Sequence, residues 1–279
     1  MKIICVTDAA SEYYCKVWIV VKVGRKMERL SLFCLSVLLV IGNTARAEEP
    51  LRIVGGRSAV ESEIPYIASL RVHNFHVCGA SIIGPHHVLT AAHCVDQTAV
   101  PPYKNFHVYV GSNNVSDGIR YEIKRITKHP RYTGRHVDLF VNDIAVITLK
   151  KAVTESKRVK IIPLADSPPV DNDIGFIAGW GMTSVGSRGA ERLKVNLMRV
   201  LTAKKCRPYH EGLHDTQVCV FNQKGEGACN GDSGGPFVVK NKLVGIASWV
   251  IPCAQGYPDG FTCVYSFRPW IRSVQAQFP

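Results

Sequence analysis

With 279 residues, 46% of them hydrophobic and 20% charged, the chain can bury a real core as one large domain or two small ones. Ten cysteines exclude an ordinary protein of the reduced cytosol. Of the net charge of +12, part lies in residues 1–52, which hold eight Lys/Arg and five Asp/Glu; the remainder has 26 against 17, or about +9.

The front end divides into three. Residues 27–47 read as a secretory signal, with Arg29 for positive charge, an apolar run Leu30–Ile41 and an A-x-A cleavage site at Ala45-Arg46-Ala47. The run is well short of the ~20 residues that span a bilayer as a helix, so it predicts removal and leaves no membrane anchor. Because signals begin at the initiator, synthesis is expected to start at Met27, and residues 1–26 read as a non-native extension. Glu48–Arg52 is a very short segment that ends in arginine just before Ile53-Val54-Gly55-Gly56.

From Ile53 onward, short apolar or alternating runs are separated by Gly, Pro, Asn and Asp. They fall at Ile67–Val72, Ala80–Ile83, Phe106–Val110, Ile144–Leu149, Phe176–Ala178, Phe237–Val239 and Leu243–Ser248, the pattern of an all-β barrel or sandwich. After Pro269, Trp270, Val274 and Phe278 recur every four residues and predict a short amphipathic helix. Asn114-Val115-Ser116 is an N-glycosylation sequon. The basic clusters Lys150–Lys151, Lys157–Lys160 and Lys204–Arg207 lack interleaved aromatics, so they read as solvated surface and no nucleic-acid partner is expected. With neither HExxH nor paired CxxC present, His73, His76, His86 and His87 read as surface or strand histidines, and no metal or cofactor is expected.

The chemistry gathers at Gly231–Pro236, GDSGGP. Its glycines allow a tight turn that pushes the Ser233 hydroxyl outward and leaves backbone N–H groups free to face an oxyanion. The shorter pattern G-x-S-x-G also describes the nucleophile elbow of α/β-hydrolases, but that order needs a histidine after the serine, and none follows Ser233. A subtilisin-like order needs an aspartate before the histidine, and none stands between Ile53 and Ala92. What remains is His93 in LTAAHC, Asp143 in NDIAVITL and then Ser233. A hydroxyl is a poor nucleophile near pH 7, and imidazole is the side chain that ionises there, so this trio suits nucleophilic catalysis.

These stretches, with IVGG at Ile53–Gly56 and AGWG at Ala178–Gly181, closely resemble the trypsin/chymotrypsin family of secreted serine proteases from Ile53 to the C-terminus. GEGAC before GDSGGP and the tail FTCVYSFRPWI resemble the insect chymotrypsins most. The resemblance implies two antiparallel β-barrels packed side by side with a C-terminal helix, a protease domain over 53–279 and a joining segment near 155–170. It implies His93, Asp143 and Ser233 as the triad, Gly231 and Ser233 N–H groups as the oxyanion hole, and Ser248 on the Asp143 carboxylate. Cleavage of Arg52–Ile53 by a trypsin-like protease would free an Ile53 ammonium to pair with Asp232. It also implies disulfides Cys78–Cys94, Cys206–Cys219 and Cys229–Cys253; Cys263 is left over and reads as a buried inert thiol, with an intermolecular disulfide as the alternative. Gly111–Glu122 lacks the acidic pair of the family's calcium loop, so no calcium is expected there. Expected partners are protein or peptide substrates, the activating protease and protein protease inhibitors, and the expected state is a monomer.

Specificity reads less directly. Trypsins carry an aspartate six residues before the nucleophile; here that position is Gly227, followed by Ala228. Val250 follows Trp249 where relatives usually have glycine, and its branches would narrow the pocket mouth. Asp259 aligns near the far wall and would restore a negative charge, as in broad-specificity, collagenase-like arthropod relatives, or else it is a turn residue of P-D-G facing water. The leading expectation is chymotrypsin-like preference for large apolar P1 residues. Elastase-like or broad cleavage comes next, then Arg/Lys cleavage through Asp259. A non-catalytic homologue acting as a binding protein is the alternative class, though such relatives usually lack a triad member.

Overall fold

The computed structural model describes residues 2–7, 13–18, 53–96, 99–251 and 253–278. The signal at 27–47 and the segment 48–52, Arg52 included, lie outside these residues. The chain divides into two units, Met1–Glu48 and Glu49–Pro279. In the first, β1 (Lys2–Thr7) and β2 (Tyr13–Trp18) form an antiparallel hairpin.

The second unit contains two six-stranded antiparallel barrels. Strands β4 (Ile67–Val72), β5 (Phe75–Gly84), β6 (His87–Thr90), β7 (Phe106–Val110), β8 (Ile119–Lys128) and β9 (Ala145–Leu149) close in the order β4-β5-β6-β9-β8-β7. Strands β10 (Ile174–Gly179), β11 (Lys194–Leu201), β12 (Gln217–Phe221), β13 (Pro236–Val239), β14 (Lys242–Trp249) and β15 (Asp259–Cys263) run β10-β13-β14-β15-β12-β11, and β10 pairs back onto β11. The two-residue β3 (Arg57–Ser58) adds to β11. Closure removes unpaired sheet edges.

Inner faces fill with apolar side chains, as a small barrel requires. Leu70, Ile82, Leu89, Phe106 and Ile147 are buried in the first barrel, and Ile177, Met198, Val220, Phe237 and Phe261 in the second. Several strands run longer than their apolar signal: β5 begins at Phe75 although the sequence marks only Ala80–Ile83, because His76 and Gly79 interrupt the apolar residues Phe75, Val77 and Cys78 that precede that run. Helix α3 (Val264–Gln277) starts before Pro269 rather than after it and buries Val264, Phe267, Ile271 and Val274 on one face. That face packs into the first barrel's core although the helix follows the second, so the tail clasps the two together.

Three disulfides are present. Cys78–Cys94 ties β5 to the short α1 (His93–Asp96), Cys206–Cys219 ties α2 (Ala203–Cys206) to β12, and Cys229–Cys253 brackets the stretch before Ser233. Cys263 is a buried free thiol, held above its usual pKa by burial.

Candidate active site

His93 opens α1 directly after β6, fixed from behind by the Cys78–Cys94 bond. Asp143 lies just before β9, fully buried, and accepts four hydrogen bonds through its carboxylate and carbonyl. His93 Nδ1–H donates to Oδ2 at 2.7 Å and the His93 backbone N–H to Oδ1 at 2.9 Å. Ser248 Oγ, from the second barrel, donates to Oδ2 at 2.6 Å, and Thr262 Oγ1 donates to the Asp143 carbonyl at 2.8 Å. A carboxylate held this way enforces the ring orientation and leaves His93 Nε2 free to accept a proton. Thr262 carries no motif signal, since its contact spans 119 residues.

Ser233 is half-buried, and its carbonyl accepts from Gly79 N–H of the first barrel at 2.8 Å. The next residue shows why only glycine fits. A Cβ on Gly234 would stand 2.2 Å from Thr90 Oγ1 and 2.4 Å from the Gly79 carbonyl, at a φ of +76°. The Ser233 loop therefore lies directly on β5 and on the end of β6, within a few residues of His93. No hydrogen bond joins Ser233 Oγ to His93 Nε2 among the described residues; Nε2 lies 3.8 Å from Cys94 Sγ. Without substrate, catalytic hydrogen bonds of this type are often long and tighten when it binds. Cys78, His93 and Cys94 converge closely, but both sulfurs are spent in the disulfide, so the cluster offers no thiolate to a metal.

Among the described residues, neither Gly231 nor Ser233 has a protein acceptor for its backbone N–H. The peptides around them are nevertheless pinned. Met182 N–H donates to the Asn230 carbonyl at 2.8 Å, and His76 Nε2–H donates to the Gly231 carbonyl at 3.0 Å. His76 Nδ1 accepts from Ser69 Oγ, which takes a hydrogen bond from the buried Arg71. Burial holds the His76 ring neutral, its pKa pushed down to about 4. The sequence marks His76 as an ordinary strand histidine; the loop that it holds in place lies 155 residues away.

Asp232 is buried and takes one N–H at each oxygen, from Gly181 at 2.8 Å and Cys229 at 3.0 Å. Among the described residues no cation pairs with it, and burial pushes its pKa up to about 6. Ile53 is buried beside it, sharing a small internal cavity with Ile177, Ala228, Ala247 and Phe261.

Gly227 and Ala228 are buried opposite Asp259, and Trp249 and Val250 are half-buried at the end of β14. Asp259 is not a water-facing turn residue. It opens β15, is 2% exposed, and its Oδ2 accepts from Ala228 N–H at 2.7 Å, while Oδ1 is buried with no partner. Pairing of Asp259 with Val220 of β12, and of Gly260 with Trp249 of β14, outweighs the local turn chemistry of Pro258-Asp259-Gly260. Phe140, which no motif flags, sets its ring 5.9 Å from that of His93 and 4.4 Å from that of His136. Asn114 is exposed, its side-chain oxygen accepting from the Ser116 N–H and hydroxyl.

Two barrels presenting a buried Asp–His pair beside a serine loop with free N–H groups define a serine-hydrolase scaffold. The sequence pattern of the trypsin family matches residues 53–271, and the chain belongs to that family of serine endopeptidases. Among its relatives, serine protease SP24D of Anopheles gambiae is 35% identical over 230 residues, covering 81% of this chain and 82% of the mosquito protein. Chymotrypsin-2 of Vespa crabro is 36% identical over 233 residues, covering 80% of this chain and all of the wasp protein. A solved structure of neuropsin, a serine protease expressed in mouse brain, superposes with a TM-score of 0.72 at 27% identity, over 79% of this chain and 98% of neuropsin.

Proposed function

We propose that the chain is a secreted endopeptidase made as a precursor, with Ser233 as nucleophile, His93 as general base and Asp143 as the carboxylate that orients it. The observation that carries this reading is the Asp143 carboxylate, buried and held between His93 of one barrel and Ser248 of the other. Ser233 Oγ attacks the substrate carbonyl and passes its proton to His93 Nε2. The oxyanion takes the free N–H groups of Gly231 and Ser233, where one such donor is typically worth about 3 kcal/mol of barrier. Collapse expels the amine, which leaves with the His93 proton, and water reverses the sequence to release the acid.

Cleavage after Arg52 by a trypsin-like protease makes the Ile53 ammonium. Its proposed partner is Asp232, whose raised pKa marks a buried carboxylate that a cation would stabilise. The signal at 27–47 supports secretion, and no helix among the described residues is long and apolar enough to cross a membrane. Protein substrates follow from the family. A monomer, sensitivity to protein protease inhibitors and glycosylation at the exposed Asn114 complete the proposal.

For P1, the uncharged Gly227 and Ala228 support large apolar side chains. A second reading, broad or Arg/Lys cleavage, is favoured by the buried carboxylate of Asp259 with its unpartnered oxygen. The chemistry is tested by labelling the processed protein with a fluorophosphonate. Label on the wild type and none on Ser233→Ala is expected; an unlabelled wild type would leave a binding protein instead.

A further inference from the structure

We infer that Arg71 is a positioning residue for the oxyanion hole: a group that can only donate, it fixes the direction of a hydrogen-bond relay through Ser69 and His76 to the Gly231 carbonyl. This rests on the endopeptidase reading above and gives the same site a residue at the far end of that relay.

Strand pairing brings the three side chains together. Ser69 and Arg71 lie two apart on β4 and so share a face. Regular pairing would continue from Leu70–Cys78 to Arg71–Val77 and set His76 opposite Val72, on the other face. A bulge after Leu70 drops Val77 of β5 out of the pairing, and His76 comes to stand opposite Arg71. Arg71 Nε–H donates to Ser69 Oγ at 3.1 Å, Ser69 Oγ lies 2.8 Å from His76 Nδ1, and His76 Nε2 lies 3.0 Å from the Gly231 carbonyl oxygen.

The two inner groups of this relay have no direction of their own. A serine hydroxyl can donate to a bare Nδ1 or accept from a protonated one, and a neutral imidazole carries its proton on one nitrogen only. A guanidinium has donors, no lone pair and a permanent charge. It takes up a lone pair of Ser69 Oγ and leaves the hydroxyl proton for Nδ1; the hydroxyl makes no other hydrogen bond among the described residues. The ring proton then belongs on Nε2, facing the carbonyl. The opposite tautomer would set two acceptors 3.0 Å apart. Burial, and after it the Arg71 charge, keep the ring from carrying both protons, its pKa pushed down to about 4. Arg71 is itself fixed: it is 2% exposed, its Nη2–H donates to the Asp117 carbonyl at 2.6 Å, and its guanidinium lies 3.8 Å over the Tyr109 ring.

The destination needs an outside hold, because Gly231 has a φ of +97° and no side chain to stiffen it. The Gly231–Asp232 peptide lies between the two N–H groups proposed for the oxyanion. Met182 holds the preceding peptide through the Asn230 carbonyl, and His76 holds this one. Release of the Gly231 carbonyl lets its peptide rotate and turns the flanking donors out of line. That loss is felt when the oxyanion forms rather than when substrate binds.

The test compares the processed wild type with Arg71→Met, Ser69→Ala and the double variant on a peptide amide, together with nitrogen NMR spectra of the histidine rings. Arg71→Met keeps a long apolar stem and loses the donors. Expected are a kcat lower by about tenfold to a hundredfold, a KM changed by less than about threefold, and a proton on His76 Nδ1 that the wild type lacks. Ser69→Ala cuts the same relay one link further on, so adding Arg71→Met to it should cost less than about twofold more. Arg71→Gln, which sets a lone pair beside Ser69, takes the place of the methionine variant where that one fails to fold, with the same outcomes. An undiminished kcat, a loss carried by KM, or an equal loss in the Ser69→Ala background would overturn the proposal and leave the protease reading standing. A wild type with its proton on His76 Nδ1 would overturn it as well. No hydrolysis by the processed wild type would overturn both.

Discussion

Burying Asp259 half-satisfied has a thermodynamic consequence separable from catalysis. Its carboxyl rises from 3.8 to about 8 on folding, so between these values the folded chain binds a proton that the unfolded chain has released. Stability must therefore fall as pH rises through this window and flatten above it; below pH 4 both states are protonated and the penalty vanishes. The slope is about 1.4 kcal/mol per pH unit, which accumulates to about 4 kcal/mol at pH 7. Asp259→Asn keeps the shape and the acceptor for Ala228 N–H but cannot ionise. In a Ser233→Ala background, which prevents self-digestion, urea unfolding at pH 4, 6 and 8 should show the asparagine variant gaining steadily on its parent. Asp232 titrates in both chains, so only its coupling to Asp259 enters the difference. A stability difference that stays constant from pH 4 to 8 would refute the claim that the buried carboxyl is protonated at neutral pH.

Other substitutions probe the joint between the barrels. Gly234→Ala forces a methyl group against Thr90 and the Gly79 carbonyl at a φ that costs about 1–2 kcal/mol for an L residue. Displacing Ser233 by even ~1 Å should lower kcat/KM by about a hundredfold or more, with weaker fluorophosphonate labelling as the readout. Ser248→Ala removes one hydrogen bond to the Asp143 carboxylate, worth about 1.5–3 kcal/mol to a charged group. Steady-state kinetics should show kcat/KM down about tenfold to a hundredfold, with the fold intact by circular dichroism.

Much of this was legible in the chain because several roles sit inside contiguous stretches. The short runs Ile67–Val72 and Phe106–Val110 mark barrel strands, the first buried almost throughout and the second on alternate residues. Gly231, Asp232 and Ser233 fall within one hexapeptide whose backbone conformation depends on its own glycines. His76, Thr262 and Phe140 were not legible, because nothing adjacent in sequence states what they touch. Asp259 misleads for the same reason: Pro-Asp-Gly is a turn by local chemistry, and only its pairing with Val220 of β12, from elsewhere in the chain, makes it a buried strand residue. The start of α3 was missed because the apolar face that docks it begins with Val264, five residues ahead of the proline that looks like a helix start.

The contacts between the barrels explain why the long-range residues matter as much as the motifs. Asp143 belongs to the first barrel, yet both Ser248 and Thr262, which donate to it, belong to the second. Ser233 belongs to the second, yet its carbonyl is held by Gly79 of the first, and Gly79 adjoins the cysteine bonded to Cys94, next to His93. Neither barrel alone fixes the Asp143 carboxylate or seats Ser233. Catalytic geometry and interdomain packing are thus one set of interactions, and a substitution that loosens the interface should cost activity before it unfolds either barrel.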